Sequence, residues 1–291
     1  MRIAITGSTG FIGSALAERL ERQGSDVVRV SRRPGPGTVV WDLDAFTLDP
    51  GVLEGCDAVV HLAGESIQGR WTGAKKKRLM ESRVRSTELL AQTIQNMDAP
   101  PDAFVCGSAV GYYGSRGADV LTESEPAGST FLAEVTVAWE QAAAPIAAAG
   151  SRLTFARTSI VLGDGGALPR MRLLTKLLAG GPLGSGRQYW SWITLEDELR
   201  AIEHLLTHDI EGPVNLGSPN PVPQREFARA LGRELGRPTV MPAPAFAIRA
   251  ALGEMGQALL LDSARMAPAV LESTGFEFAH PDLEAALSAV I

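Results

Sequence analysis

Residues 2–24, RIAITGSTGFIGSALAERLERQG, constrain this chain more than any other stretch. An apolar run suited to a buried strand leads into Gly7, Gly10 and Gly13, and a helical pattern follows with Gly24 past its end as a stop. Glycine at a strand-to-helix turn allows a tight backbone and lets a pyrophosphate approach main-chain N–H groups. The helix N-terminus adds partial positive charge. The spacing is G-x-x-G-x-x-G, not the G-x-G-x-x-G of other dinucleotide folds. A glycine pattern alone is weak; the strand before it and the helix after it supply the context. Gly7, Thr9, Gly10, Phe11, Ile12 and Gly13 are therefore candidate cofactor contacts.

The pattern continues along the chain. Strand-like runs at 26–33 (DVVRVSRR), 38–43 (TVVWDL), 56–64 (CDAVVHLAG), 103–110 (AFVCGSAV) and 152–163 (RLTFARTSIVLG) are interspersed with helical stretches at 75–97 and 130–150. Pro145 is placed to bend or break the second of these. Strands apolar on both faces, separated by helices, imply a parallel sheet covered on both sides: a doubly wound α/β fold of Rossmann type. Its ligands lie at the carboxyl ends of the strands. After Gly163 the chain turns glycine-rich and irregular, then helical at 226–238 and 244–261. The expected division is a nucleotide-binding domain over 1–163 and a smaller, mostly helical substrate lobe over 164–291, with later segments crossing back.

The end of the second strand selects the cofactor. A carboxylate there would accept the ribose hydroxyls of NAD. Ser31, Arg32 and Arg33 stand there instead. Two guanidinium groups suit a 2′-phosphate, through charge-assisted bonds worth about 1.5–3 kcal/mol each, so NADP(H) is expected over NAD(H).

Composition removes several alternatives. With 45% hydrophobic and 21% charged residues the chain can bury a large core. A net charge of −6 argues against nucleic acid, and the block Lys75, Lys76, Lys77, Arg78 reads as a solvated helix face. Cys56 and Cys106 sit in apolar runs and read as buried thiols of a reducing compartment. His204 and His208, four apart, have no third ligand nearby and read as surface residues rather than a metal site. No apolar run is long enough for a bilayer and the start reads as a strand, so a cytoplasmic protein without a membrane partner is expected.

TGSTGFIG, SRR, Asp42 of VVWDL and HLAG (61–64) resemble the extended short-chain dehydrogenase/reductases. The longer features HLAGESI, SAVGYYG, RTSIVLGDGGALPRM, GGPLGSGRQYWSWI and LLLDSARMAPAVLESTGFEF resemble an atypical branch, the NADP-dependent epimerase-like proteins of largely unknown substrate, over nearly the whole chain. The resemblance implies a contact from Asp42 to adenine, and cofactor contacts from Ser31, Arg32, Leu62, Ala63, Gly64 and Arg83.

That family's chemistry uses a Ser with a Tyr-x-x-x-Lys pair, the Tyr moving the proton and the Lys lowering its pKa. In FLAEVTVAWE the matching positions are Leu132 and Thr136, and neither can do acid–base work. Ser108 matches the family's serine, and it reads equally as a strand-end hydroxyl satisfying the backbone. Tyr113 matches a site-lining tyrosine, and Tyr112 stands beside it. These three remain the candidates for proton transfer. Tyr112 and Arg116 share the spacing by coincidence.

For the substrate, Arg187 and Gln188 could hold an anion or a sugar hydroxyl, and Trp192 fits either a stacking wall or a core strand. Trp190 reads as core, and Asn215 and Asn220 as turn residues. Two functions compete. One is an NADP(H)-dependent oxidoreductase or epimerase acting on a hydroxyl or carbonyl substrate, nucleotide-sugar-like among others. The other is an inactive NADP(H)-binding sensor or scaffold.

Overall fold

The computed structural model describes residues 1–35 and 37–291. Seven strands form its central sheet: β1 (Arg2–Thr6), β2 (Asp26–Ser31), β3 (Thr38–Val40), β4 (Ala58–His61), β5 (Ala103–Ala109), β6 (Arg152–Thr158) and β7 (Gly212–Leu216). All pairs are parallel and the order is 7-6-5-4-1-2-3. The winding reverses between β1 and β4, where Thr6 lies opposite His61. A crevice therefore opens at the carboxyl ends of these two strands, where ligands of this architecture bind.

The helices are α1 (Phe11–Arg22), α2 (Gly73–Gln95), α3 (Phe131–Ala148), α4 (Leu168–Lys176), α5 (Leu195–Thr207), α6 (Gln224–Glu234), α7 (Ala245–Gly256), α8 (Ala269–Ser273) and α9 (Leu283–Val290). Side chains alternate across β1. Ile3 and Ile5 pack with Leu16, Leu20, Ile202 and Leu205 of α1 and α5. Ala4 turns the other way, towards a core shared by Leu90 and Ile94 of α2 and Ile146 of α3. Threonine oxygens start three of the helices: Thr72, Thr130 and Thr194 accept the N–H of Lys75, Ala133 and Asp197.

Beyond Leu162 a further core joins Leu168, Trp190, Trp192, Phe227, Leu231, Leu283 and Leu287. The chain then returns to the sheet, because α5 covers one face and β7 pairs with β6, Val214 opposite Ala156.

Four details differ from the sequence reading. The run 152–163 is two strands: β6 ends at Thr158, and Ile160–Leu162 pairs instead with Trp192–Thr194. The run 38–43 stops at Val40, after which Asp42 and Thr47 exchange two main-chain bonds of 2.9 and 2.8 Å. α3 passes through Pro145 to Ala148, forgoing one main-chain bond. Asn215 lies inside β7 rather than in a turn.

Candidate active site

The glycine loop is closed around its own main chain. Gly7 has φ +71°, and a Cβ on it would lie 2.8 Å from the carbonyl of Leu62. A Cβ on Gly13 would lie 2.3 Å from the Gly7 oxygen. Only glycine permits both contacts. The α1 N-terminus at Gly10 has no side-chain cap and no acidic residue in its first turn. Its free N–H groups are therefore open to an anion.

A cavity of about 340 Å³ beside this loop is lined by Gly7, Thr9, Gly10, Ser31, Arg32, Arg33, Trp41, Leu62, Ala63, Gly64 and Ser82. Arg32 and Arg33 are exposed at the end of β2 and form no ion pair among the described residues. Asp42 instead lines a neighbouring cavity of about 570 Å³ that shares Arg32 and Trp41. Its Oδ1 accepts the N–H groups of Asp44 and Ala45 at 2.8 Å, which leaves Oδ2 free of the turn.

His61 fixes the turn after β4. Its ring is fully buried, and burial, aided by the positive charge of Arg83, lowers its pKa to about 3. The hydroxyls of Ser86 and Thr87 donate to main-chain carbonyls at 2.7 Å, so both oxygens accept from Nε2–H. Nδ1 then accepts from the Thr6 hydroxyl at 2.6 Å, and Thr6 in turn accepts the N–H of Ala63 at 3.3 Å. A neutral imidazole thus ties the end of β1 to the HLAG turn.

A second cavity of about 300 Å³ shares Gly7, Gly10 and Leu62 with the first, so one groove runs across the loop. Arg83, Ser108, Leu132, Thr136, Trp139 and Thr158 line its far end, with Phe11 and Ile12. Nη1 of Arg83 donates to the carbonyls of Glu65 and Leu79, both at 3.1 Å, and no carboxylate among the described residues pairs with it. Burial lowers its pKa to about 10. A half-buried guanidinium that forms no ion pair among the described residues, beside an open groove, suits an anionic ligand. The Thr136 hydroxyl is spent on the carbonyls of Leu132 and Ala133, so both positions of the absent Tyr–Lys pair face the groove without an acid or a base.

Ser108 is backed by a charge pair. Its Oγ donates to Oε1 of Glu140 at 2.6 Å, and Arg157 holds both oxygens of that carboxylate, Nε to Oε1 at 2.9 Å and Nη2 to Oε2 at 3.0 Å. Register explains the meeting, since Ser108 and Arg157 are opposite one another on β5 and β6. With its hydrogen committed to Glu140, Ser108 presents lone pairs to the groove.

The tyrosines lie elsewhere. Tyr113 is fully buried; its hydroxyl donates to Oδ1 of Asn215 at 2.6 Å and accepts from Nη1 of Arg157 at 3.0 Å. Burial raises its pKa to about 12 against the opposing pull of Arg157. Tyr112 stacks its ring on the Arg157 guanidinium, 3.4 Å from Cζ to the centroid. Neither lines the groove, although Gly111 beside them does. Arg116 pairs with Glu125 at 3.5 Å.

The substrate candidates Arg187, Gln188 and Trp192 also lie outside the lining of the groove. Gln188 is buried, and its amide donates to the carbonyls of Leu183 and Leu260. Trp192 is fully buried, with Nε1 donating to the carbonyl of Asn220. Arg187 is exposed and lines neither cavity of the groove.

Sequence reasoning missed Glu140, Arg157, Glu198 and His61. Glu140 was legible as a lone carboxylate amid the apolar AWEQAAA, and Arg157 as a lone cation inside LTFARTSIVL. Glu198 is fully buried; Oε1 accepts from the Thr158 hydroxyl at 2.8 Å and Oε2 has no partner. Burial raises its pKa to about 8, opposed by the Thr158 bond.

Residues 3–217 match the model of the NAD dependent epimerase/dehydratase family, and residues 243–290 match a domain of unknown function, DUF1731. An epimerase family protein of Mycobacterium tuberculosis, MT2273, is 43% identical over 98% of this chain and 96% of its own length. The human epimerase family protein SDR39U1 is 36% identical, each chain being covered in full. The crystal structure of human SDR39U1 (isoform 2) with NADPH superposes with a TM-score of 0.91 at 34% identity, covering 100% of this chain and 99% of that one. The glycine cradle, the sheet order and these matches together place the chain in the NAD-dependent epimerase/dehydratase family.

Proposed function

We propose that the chain binds NADP(H) along the groove and performs a redox step on a hydroxyl- or carbonyl-bearing carbon of a small substrate. The observation that carries this reading is the groove's two ends: Arg32 and Arg33 at one, and Ser108 backed by Glu140 and Arg157 at the other. Arg32 and Arg33 would hold the 2′-phosphate, the uncapped α1 N-terminus the pyrophosphate, and Arg83 a further oxygen-rich part of the cofactor. When bound, NADP(H) supplies or takes up the two electrons of the reaction.

The proton follows Ser108. A substrate hydroxyl donates to the lone pairs of Ser108 Oγ; as that proton leaves, the Ser108 hydrogen passes to Glu140. Carbonyl reduction runs the same route in reverse. Arg157 holds the carboxylate in line throughout. Nucleotide sugars are the first compounds to try. Leu132 and Thr136 favour a second reading, binding without turnover, in which the protein reports the NADP(H) pool.

Two measurements test this. In a fluorescence titration, Arg32→Ala with Arg33→Ala should weaken NADPH ~100-fold and NADH by no more than ~3-fold; equal losses reject the NADP(H) assignment. Over a panel of carbonyl and alcohol substrates, turnover followed by NADPH absorbance should fall ~100-fold or more in Ser108→Ala and in Glu140→Gln, each still binding NADPH. Tight NADPH binding without turnover across the panel gives the second reading.

A further inference from the structure

We propose that the face formed by α4 and the segment leading into α7 docks on an anionic lipid surface. On α4 and its capping residue Leu177, Arg170, Leu173, Leu174 and Leu177 follow the spacing i, i+3, i+4, i+7, the stripe that normally faces a core. Here the stripe points outward, Leu177 being 67% exposed, while Leu168 and Thr175 face inward. The segment before α7 adds Val240, 83% exposed, Met241, and Phe246 of α7 itself, 74% exposed. The stretch that follows α4 touches the segment before α7: Ala243 N–H donates to the Pro182 carbonyl and Gly184 N–H to the Ala243 carbonyl, both at 2.8 Å. Seven of the ten exposed large apolar side chains among the described residues belong to these two stretches, 173–178 and 240–246.

The backbone at the end of α4 points the same way. Leu178 holds φ +62° where glycine would fit without strain, in a cap closed by Ala179 N–H on the Leu174 carbonyl at 2.8 Å. The chain thus spends a left-handed position on an exposed leucine.

Charge identifies the occupant. The whole chain carries −6, yet no acidic residue occurs between Asp164 and Glu196 or between Glu234 and Glu254. Within those limits stand Arg170, Lys176, Arg237 and Arg249, all exposed. A second copy of this chain, paired face to face by two-fold symmetry, would set cation against cation. A bilayer rich in anionic headgroups accepts the leucines into its interfacial region and the cations at its surface. This is interfacial contact: among the described residues no helix is long and apolar enough to cross a membrane.

The test is co-sedimentation of the full chain with vesicles of equal phosphatidylglycerol and phosphatidylcholine, against phosphatidylcholine alone. The protein should pellet with the anionic vesicles only, and release as salt rises from about 0.1 M to about 1 M, where screening shortens to about 3 Å. Leu173→Glu with Leu177→Glu should weaken binding ~10-fold or more, and Arg170→Gln with Lys176→Gln should remove the preference for anionic lipid. All four positions are exposed, on α4 or at its cap, so unchanged circular dichroism and melting confirm the fold of each variant. The proposal is overturned if nothing pellets with anionic vesicles, or if the Leu173→Glu, Leu177→Glu protein pellets as before. It is equally overturned by a dimer in light scattering that the same substitutions convert to monomer, which would give the face to a second copy.

Discussion

Tyr113 shows how a side chain with catalytic chemistry can be tied into the interior. Its phenol closes a buried chain of bonds from Ser108 through Glu140 and Arg157 to Asn215, which also donates to the carbonyls of Leu121 and Ala267. Tyr113→Phe strands one acceptor on Asn215 and one donor on Arg157, each without access to water. The expected cost is about 1–3 kcal/mol in urea unfolding, with NADPH affinity unchanged within about 2-fold. Loss of turnover without loss of stability would return Tyr113 to the chemistry. The sequence could offer this tyrosine as a candidate because residue type and loop position were right. It could not show that Arg157, from the next strand, turns the hydroxyl inward, since that depends on the register of β5 against β6.

Among elements, the β1–α1 unit was legible to within a residue or two at its ends because its requirement is local. Strand, turn and helix are neighbours in sequence, and the steric demand on Gly13 arises from Gly7, six positions away. Gly13→Ala would force a methyl into the Gly7 carbonyl. Such overpacking should cost about 1–3 kcal/mol and abolish the rise in melting temperature that NADPH gives the native chain. β7 was legible only as a segment crossing back. Its five residues, GPVNL, carry a proline and an asparagine, which read as a turn. Pairing with β6, and the bonds that Asn215 finds in the interior, override that local preference. Glu140 escaped for a related reason: its partner Arg157 lies on another element, and neither residue alone announces an ion pair.

At the scale of the whole molecule, two of the buried ionisable groups, Glu198 and His61, have opposite habits. Glu198, raised to about 8, stays protonated in the fold but loses its proton near pH 4.5 when unfolded. Its contribution is full below pH 4.5 and is lost as pH rises towards 8. His61, lowered to about 3, stays neutral in the fold but gains a proton below pH 6.5 when unfolded. Its contribution is full above pH 6.5 and is lost as pH falls towards 3. Between pH 4.5 and 6.5 the two slopes oppose each other and nearly cancel. Glu198→Gln removes one of them. The variant should gain stability relative to the native chain as pH rises from 5 to 8, by at most about 1.4 kcal/mol per pH unit. Parallel pH profiles in urea unfolding would show that Glu198 is ionised in the folded protein.

The strand order carries a consequence for synthesis. β7 and α5 follow the glycine-rich excursion after Leu162, yet β6 waits for one as its neighbour and Ile3 and Ile5 wait for the other as their cover. A nascent chain that has reached only residue 163 therefore presents an unpaired strand edge and an apolar face covered by α1 but not yet by α5. The molecule cannot be finished in the order in which it is read. The face of its first strand has only α1 as cover until α5 has been made, and β6 keeps an open edge until Leu216 has left the ribosome.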